Sequence, residues 1–392
     1  MSNFRNRLRK LGFISIEVVL IGSVVLAGGL IGVDRLMRNG SGASNHQQGV
    51  FNSLFNNESE GENGGSETNV PLGELAPVIY WGVDGSGRLI ISDEEVSSNK
   101  SGNFVREAEF IQATDIPWSS YSDQITSVEV IKVSKEISPV SLDNWFYGLT
   151  NCSNLKLESL RADNAISMKH TFAYAGYQVS SFTIEGLKNW NTQNVKDMSY
   201  AFNGAGGMSP NWNIGDLSLW KTGNVENMEG MFAVAGHVAN TWNIGNISSW
   251  NTSNVKNMSG MFNMAASGTR DFSLDLSHWD VSNVTDMTFM FRSVGHNATN
   301  WSISGLQNWN TQNVKSMAGM FEYSGTAANS YSMNVSSWNT QNVENMSNMF
   351  NKAGEDATYS FNLSEWNVAK VTNHNGFDTS VEGKIILPDW NN

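Results

Sequence analysis

The sequence predicts an α/β repeat solenoid, a ladder of parallel strands carrying short helices, built from units of 28–30 residues. Three observations lead there. Tryptophan recurs at 190, 220, 250, 279, 309, 338 and 366. Counted from each Trp, Val stands at +5, and from the first six Asn stands at +4, Met at +8 and Phe at +12. Finally, 40% of the 392 residues are apolar and only 16% charged, with 14 Trp and 19 Phe to bury. Such a chain folds rather than remaining disordered. One short unit cannot cover its own apolar face, so neighbours must complete the core.

Within a unit, the apolar positions +5, +8, +11, +12 and +15 fit a period of about 3.6 and predict a short helix. Asn194, Asn224, Asn254, Asn283, Asn313 and Asn342 at +4 fit two structural roles. They are N-caps for that helix, or a buried ladder bonding backbone groups between coils. Gly at +16, as in Gly206 and Gly236, reads as the helix stop. An extended stretch such as Trp242–Trp250 precedes each Trp and predicts the parallel ladder. A degenerate unit opens the array with Leu160, Met168 and Phe172. The last unit carries His374 and Asp378 where Met and Phe are due, which suits an end cap. Eight such units are expected over 160–380, with a C-terminal cap or tail over 381–392.

Trp190, Trp220, Trp250, Trp279, Trp309, Trp338 and Trp366 read as structural positions. A second aromatic set, Trp212, Trp242 and Trp301, sits eight residues earlier. Other units carry Phe182, Phe272, Tyr331 or Tyr359 nearby. This stripe reads either as sheet packing or as a ligand face for sugar rings or a protein.

Trp250-Asn-Thr-Ser-Asn-Val-Lys-Asn-Met-Ser-Gly-Met-Phe262 and Trp279-Asp-Val-Ser-Asn-Val-Thr-Asp-Met-Thr-Phe-Met-Phe291 resemble the BspA-like bacterial leucine-rich repeats. The resemblance covers roughly 160–375. It implies a leucine-rich-repeat-like fold, a place on the bacterial cell surface, and adhesion to host matrix proteins or other cells. The units here are longer, through stretches such as Gly206–Trp212.

Residues 77–159 read as a small β-rich cap domain, with a hairpin at Asp84-Gly-Ser-Gly87 and a strand at 125–133. Residues 34–76 form an acidic Asn/Gly/Ser/Glu spacer, too polar to order itself. Residues 13–33 hold a single charge, Glu17, and follow a basic leader over 1–12. A helix of that length spans ~31 Å, enough for a bilayer, and the preceding cations place the N-terminus inside. The bulk of the chain is then outside, anchored in the plasma membrane. A carboxylate in such a span costs at least ~2.5 kcal/mol, so it usually has a role. The run Gly12-Phe13-Ile-Ser-Ile-Glu17 resembles a type IV prepilin leader. That resemblance implies cleavage after Gly12 and pairing of Glu17 with a neighbouring subunit's amine in a pilus-like assembly. A plain membrane anchor is the other reading.

The charge of −13 argues against a nucleic-acid partner. A single cysteine, Cys152, excludes an intramolecular disulfide framework and reads as a buried small hydrophobe. The six histidines lack ligand spacing, and no nucleotide, zinc-protease or hydrolase motif occurs. The pairs Asp271/Asp275 and Glu226/Glu229 read as a solvated face. The expectation is a non-enzymatic surface protein without a cofactor that recognises an extracellular protein. A minor-pilin-like subunit and a glycan binder are the alternatives.

Overall fold

Val78–Val83 (β1) and Arg88–Ser92 (β2) pair antiparallel around the predicted turn. Asp84 makes that turn: its carboxylate accepts the Ser86 and Arg88 backbone N–H groups, at 2.8 and 3.1 Å. Ser101–Val105 (β3) adds to β1 antiparallel, whereas Ser127–Ile131 (β4) adds to β2 parallel. From β4 onward each new strand lies parallel to the last: Asn154–Lys156 (β5), Ser181–Glu185 (β6) and Asn211–Asn213 (β7). The sheet order is β3-β1-β2-β4-β5-β6-β7. Asp271–Asp275 (β8), Asn300–Ser304 (β9) and Ser330–Ser332 (β10) continue as a three-stranded parallel sheet. Phe361–Asn362 (β11) and Ile385–Ile386 (β12) close the chain as a parallel pair.

This is a computed structural model, and it describes residues 78–105, 108–110 and 112–391. The leader, the apolar segment 13–33, the spacer 34–76 and the residues Gly12, Phe13 and Glu17 lie outside the described residues. Leu72–Asn392 is one compact unit. The predicted cap strands form, but they merge with the repeat ladder in one sheet and are not set apart as a domain. β4 carries the register Val128↔Leu155 straight into β5, and β5 carries Leu155↔Ile184 into β6.

The array is a β-solenoid of about seven turns rather than an α/β one. Among the described residues the only helices are 3-10 turns of three residues, at Ala113–Asp115, Ser119–Tyr121, Leu187–Asn189, Ile247–Ser249 and Leu306–Asn308. The segment predicted as helix is a ribbon of successive tight turns. Ala201, Asn203 and Ala205 donate to the carbonyls of Met198, Tyr200 and Phe202 within the coil. The alternate residues Met198, Tyr200, Phe202 and Gly204 donate instead to Asn227, Glu229, Met231 and Ala233 of the next coil. A helix bonds only within itself; this ribbon shares its bonds between coils. Left-handed φ values at Tyr200 (56°), Gly204 (66°) and Gly206 (55°) enforce the geometry, and the next coil repeats them at Gly230, Val234 and Gly236. No α-helix tolerates such residues at this frequency.

A second, single-residue ladder runs along position +7 as parallel bridges from Ser141 through Ser167, Asp197, Asn227, Asn257, Asp286, Ser316 and Asn345 to Asn373. The Trp242–Trp250 stretch, expected as a strand, forms no assigned strand, so the first ladder is interrupted between β7 and β8. The +7 ladder continues past it. Gly206–Trp212 is no protruding insert. It is the corner that leads the ribbon into β7, and its Met208 N–H bonds the Tyr177 carbonyl at 3.1 Å.

Three aromatic columns fill the core. Phe146, Phe172, Phe202, Phe232, Phe262, Phe291, Phe321 and Phe350 stack with centroids 5.0–5.7 Å apart. Phe377 ends the column edge-on, at 79° to Phe350. The seven repeat tryptophans stack at 5.9–6.5 Å with nearly parallel rings. Each indole N–H from Trp220 onward donates to a carbonyl of the preceding coil, as Trp250 does to Leu217 at 3.0 Å. Beyond the last Trp unit, Trp390 lies flat on His374 at 4.2 Å. Lys384 Nζ donates to the carbonyls of Gly354, Glu355 and Ala357, at 3.2, 2.6 and 2.7 Å. These contacts cover the last coil.

Candidate recognition surfaces

The stripe at Trp212, Trp242 and Trp301 forms the third core column. Trp212 and Trp301 are 5% and 1% exposed, and Trp242 is half-buried. Trp212 stacks on Trp242 at 5.7 Å, and Trp301 on Tyr331 at 4.3 Å. Their indole N–H groups bond the carbonyls of Ala205, Ala235 and Val294, at 3.0, 3.1 and 3.1 Å. Trp212 and Trp301 therefore serve packing, and Trp242 packs between Trp212 and Phe272 with part of its ring still exposed. Phe272 pairs with Trp301 in register although it stands one residue closer to its own Trp. The extra residue in the Trp301 unit is absorbed where Gly305 takes a left-handed φ and Leu306–Asn308 forms a 3-10 turn.

The Asn column at +4 caps no helix. Asn224 Nδ2 donates to the Gln193 carbonyl at 2.7 Å, and Asn254, Asn283, Asn313 and Asn342 repeat the bond at 2.6–2.7 Å. Asn194 does the same to Asp163 at 2.7 Å. The ladder reading therefore holds, but at the solvent edge rather than in the core. A threonine column at +2 was not foreseen from the sequence. Thr192, Thr222, Thr252, Thr311 and Thr340 are buried and donate to the +1 carbonyl of the following coil, at 2.8–3.1 Å. The column was legible as Thr recurring two residues after Trp, with Val281 and Val368 in its gaps.

The carboxylate pairs are separately engaged. Glu226 binds Lys256 at 2.6 Å, while Glu229 accepts the Tyr200 hydroxyl and the Asn257 amide. Asp271 accepts Asn300, and Asp275 accepts Ser277 N and Ser304 Oγ. Cys152 is fully buried, and that burial pushes its thiol up to about 12. No group of three or more His, Cys, Asp or Glu is placed to hold a metal among the described residues.

A half-buried aromatic patch lies on the turn ribbon of the first coils. Tyr147, His170, Tyr174, Tyr177 and Tyr200 form it. His170 stacks flat on Tyr200 at 5.0 Å, and Tyr147 meets His170 and Tyr174 edge-on at 5.9 and 6.1 Å. Tyr174 meets Tyr177 at 5.8 Å. Glycines of the next coil make room for these rings. A Cβ on Gly204 would come within 2.7 Å of Tyr174, and one on Gly207 within 2.6 Å of Tyr177. Tyr174 and Tyr177 thus each lie against bare glycine backbone of the next coil. Burial raises the phenols of Tyr147, Tyr174, Tyr177 and Tyr200, and lowers the His170 imidazole to about 4. The patch is uncharged at neutral pH. Tyr200 gives its hydroxyl to Glu229, but the hydroxyls of Tyr147, Tyr174 and Tyr177 have no partner among the described residues. Met208, 46% exposed, lies at its border through the Met208–Tyr177 backbone bond. Four of the nine tyrosines in the chain fall between 147 and 200, the one hint the sequence held.

No curated protein matches this chain, and no solved structure does. A family model matches three overlapping stretches, 140–244, 209–306 and 293–383, which together cover more than half of the 392 residues. These stretches are the solenoid itself, coil upon coil. The chain belongs to the family described as "Mycoplasma protein of unknown function, DUF285".

Proposed function

We propose that this is a non-enzymatic recognition protein of the bacterial cell surface, which adheres to an extracellular protein through the tyrosine patch on its first coils. The observation that carries the reading is the set of three half-exposed rings, Tyr147, Tyr174 and Tyr177, whose hydroxyls have no partner among the described residues. Tyrosine supplies large contact area and a hydrogen-bond donor at small entropic cost, which is why it anchors protein interfaces. The ribbon beneath is tied to both neighbouring coils, so little ordering is needed on binding. The likeness to BspA-like repeats supports the same reading. The apolar segment 13–33 is the membrane tether in this proposal, and the spacer 34–76 lifts the solenoid off the surface.

The test is solid-phase binding of full-length protein, in detergent, to a panel of immobilised extracellular matrix proteins and to whole cells. Tyr174→Ala and Tyr177→Ala should each weaken binding about tenfold or more, in line with truncation of an interface anchor. The urea midpoint of each variant serves as the folding control. Binding that survives both substitutions together would remove the patch from the function.

A further inference from the structure

A second surface stands apart from the aromatic patch. Positions +1, +3 and +4 of successive coils form a wall made mostly of amide and small side chains, with Lys221, Asp280 and Lys370 as its charged members. At +1, Asn191, Asn251, Asn310 and Asn339 each accept the backbone N–H two residues on through Oδ1, at 3.1–3.3 Å. Their Nδ2 groups have no partner among the described residues. At +4 the roles reverse, because Nδ2 is spent on the preceding coil's carbonyl and Oδ1 of Asn224, Asn254, Asn283 and Asn313 is left open. The wall presents donors and acceptors in fixed orientation, repeated at the ~4.8 Å spacing of stacked strands.

One coil carries a glycine and a large apolar residue at two positions that vary from coil to coil. Gly223 stands at +3 where Gln193 and Gln312 stand in other coils, and Leu219 stands at −1 where Ser249 and Ser337 stand. Leu219 is 65% exposed, the highest value among the large hydrophobic residues. Between this coil and the next lies an open depression of about 680 Å³, lined by Gln193, Leu219, Trp220, Gly223, Asn224 and Asn251 among others. That volume falls in the ~300–1,000 Å³ range of small-ligand clefts. Leu219 supplies the exposed apolar carbon, amide side chains flank it, and Lys221 is the one charged residue in the lining.

We propose that this depression binds a neutral saccharide chain. A pyranose ring has an apolar C–H face and a rim of hydroxyls that both donate and accept. An exposed leucine beside fixed amide donors and acceptors matches both features. A lining with no carboxylate and a single ammonium offers little to a charged ligand. Asn191 and Asn194 on one side and Asn251 and Asn254 on the other continue the amides at the coil spacing, so a short extended chain can run beyond the depression before it meets Asp280.

The experiment probes full-length protein, in a detergent without sugar headgroups, against an array of neutral glycans, with isothermal titration on the hits. Two variants restore what other coils carry: Gly223→Gln fills the notch and Leu219→Ser removes the platform. Gly223 has no left-handed φ, and its added Cβ would meet only the Asn251 side chain, at 3.2 Å. Both variants should therefore keep the wild-type urea midpoint. Each should weaken glycan binding about tenfold, a difference of ~1.4 kcal/mol, while Tyr174→Ala leaves it unchanged. The proposal is overturned by an array with no saturable hit. It is equally overturned by binding indifferent to both variants, or by binding only to anionic glycans that depends on Lys221.

Discussion

Gly230 offers a direct test of the turn ribbon. Its φ is +56°, and an added Cβ would lie 2.5 Å from Tyr200 Cε1 and 2.6 Å from Cδ1. Tyr200 cannot swing aside freely, since His170 is stacked on its ring and Glu229 holds its hydroxyl. Gly148 is the control. It also has a left-handed φ, +68°, but nothing lies within 4 Å of its added Cβ. Gly148→Ala therefore carries the backbone penalty alone. That penalty is ~1–2 kcal/mol, offset by ~0.4–1 kcal/mol from stiffening the unfolded chain. The net loss should be below about 1.5 kcal/mol. Gly230→Ala adds the cost of overpacking, ~1–3 kcal/mol, for a total of about 2–4 kcal/mol. The assay is urea unfolding followed by tryptophan fluorescence. Adding Tyr200→Ala to Gly230→Ala should recover the crowding part, a coupling in the ~0.5–3 kcal/mol range of contacting residues. Equal losses for Gly148→Ala and Gly230→Ala, or no recovery in the double variant, would refute this account of the ribbon.

Three further outcomes are expected. Arg292 and Glu322 form a pair at 2.7 Å with side chains only 15% and 10% exposed, and Asn351 holds the other carboxylate oxygen. Arg292→Met should cost about 3–5 kcal/mol by stranding the buried charge, whereas Arg292→Met with Glu322→Met should be close to neutral in the same unfolding assay. His170 titrates at about 4 in the folded chain because burial disfavours its charged form. The unfolded chain binds the proton first, so stability is lost as pH falls from about 6.5 towards 4, and His170→Gln should flatten the urea midpoint over that window. The buried carboxyl of Asp143 is raised and works in the opposite direction, so the difference between the two proteins, not the raw curve, is the readout. Lys384→Met removes three charge-assisted bonds to the Gly354–Ala357 carbonyls, and should lower stability by about 2–4 kcal/mol. Hydrogen exchange should then rise in the last coil and not near Phe202.

The repeat was legible because its core columns are strictly periodic. Trp250, Val255, Met258 and Phe262 announce one interior layer of one coil, and the structure places all four there. The local backbone was misread for a specific reason. Apolar spacings of three and four residues arise from a helix, but also from a ribbon of tight turns that brings every third or fourth side chain inward. Glycine held the distinguishing signal. Gly230, Gly260 and Gly319 at +10 and Gly204 at +14 sit inside the supposed helix, where they would weaken it without purpose. In the ribbon these two positions, together with +16, require a left-handed φ, and Tyr200, Met264 and Phe289 adopt it as well. The candidate surfaces were harder to read, because they lie where the repeat is broken. Tyr174 and Leu219 belong to columns whose other members are unrelated, and no period singles them out. Only the stacking of coils brings Tyr147, Tyr174 and Tyr200 to one face.

Because each coil bonds only its immediate neighbours, the solenoid has a distinctive response to mechanical tension. The described chain enters beside β1–β4 and ends under Trp390 at the far cap, so a pull on its ends loads the stack along its axis. Coils then peel from an end in sequence instead of shearing all at once. A coil of 28–30 residues stretched at ~3.3–3.6 Å per residue releases roughly 100 Å in place of a single ~4.8 Å layer. Load is then dissipated coil by coil, and the length gained exceeds the layer lost by about an order of magnitude. The Tyr147–Tyr200 patch lies on the coils next to β4 and β5, so peeling from that end would dismantle it first.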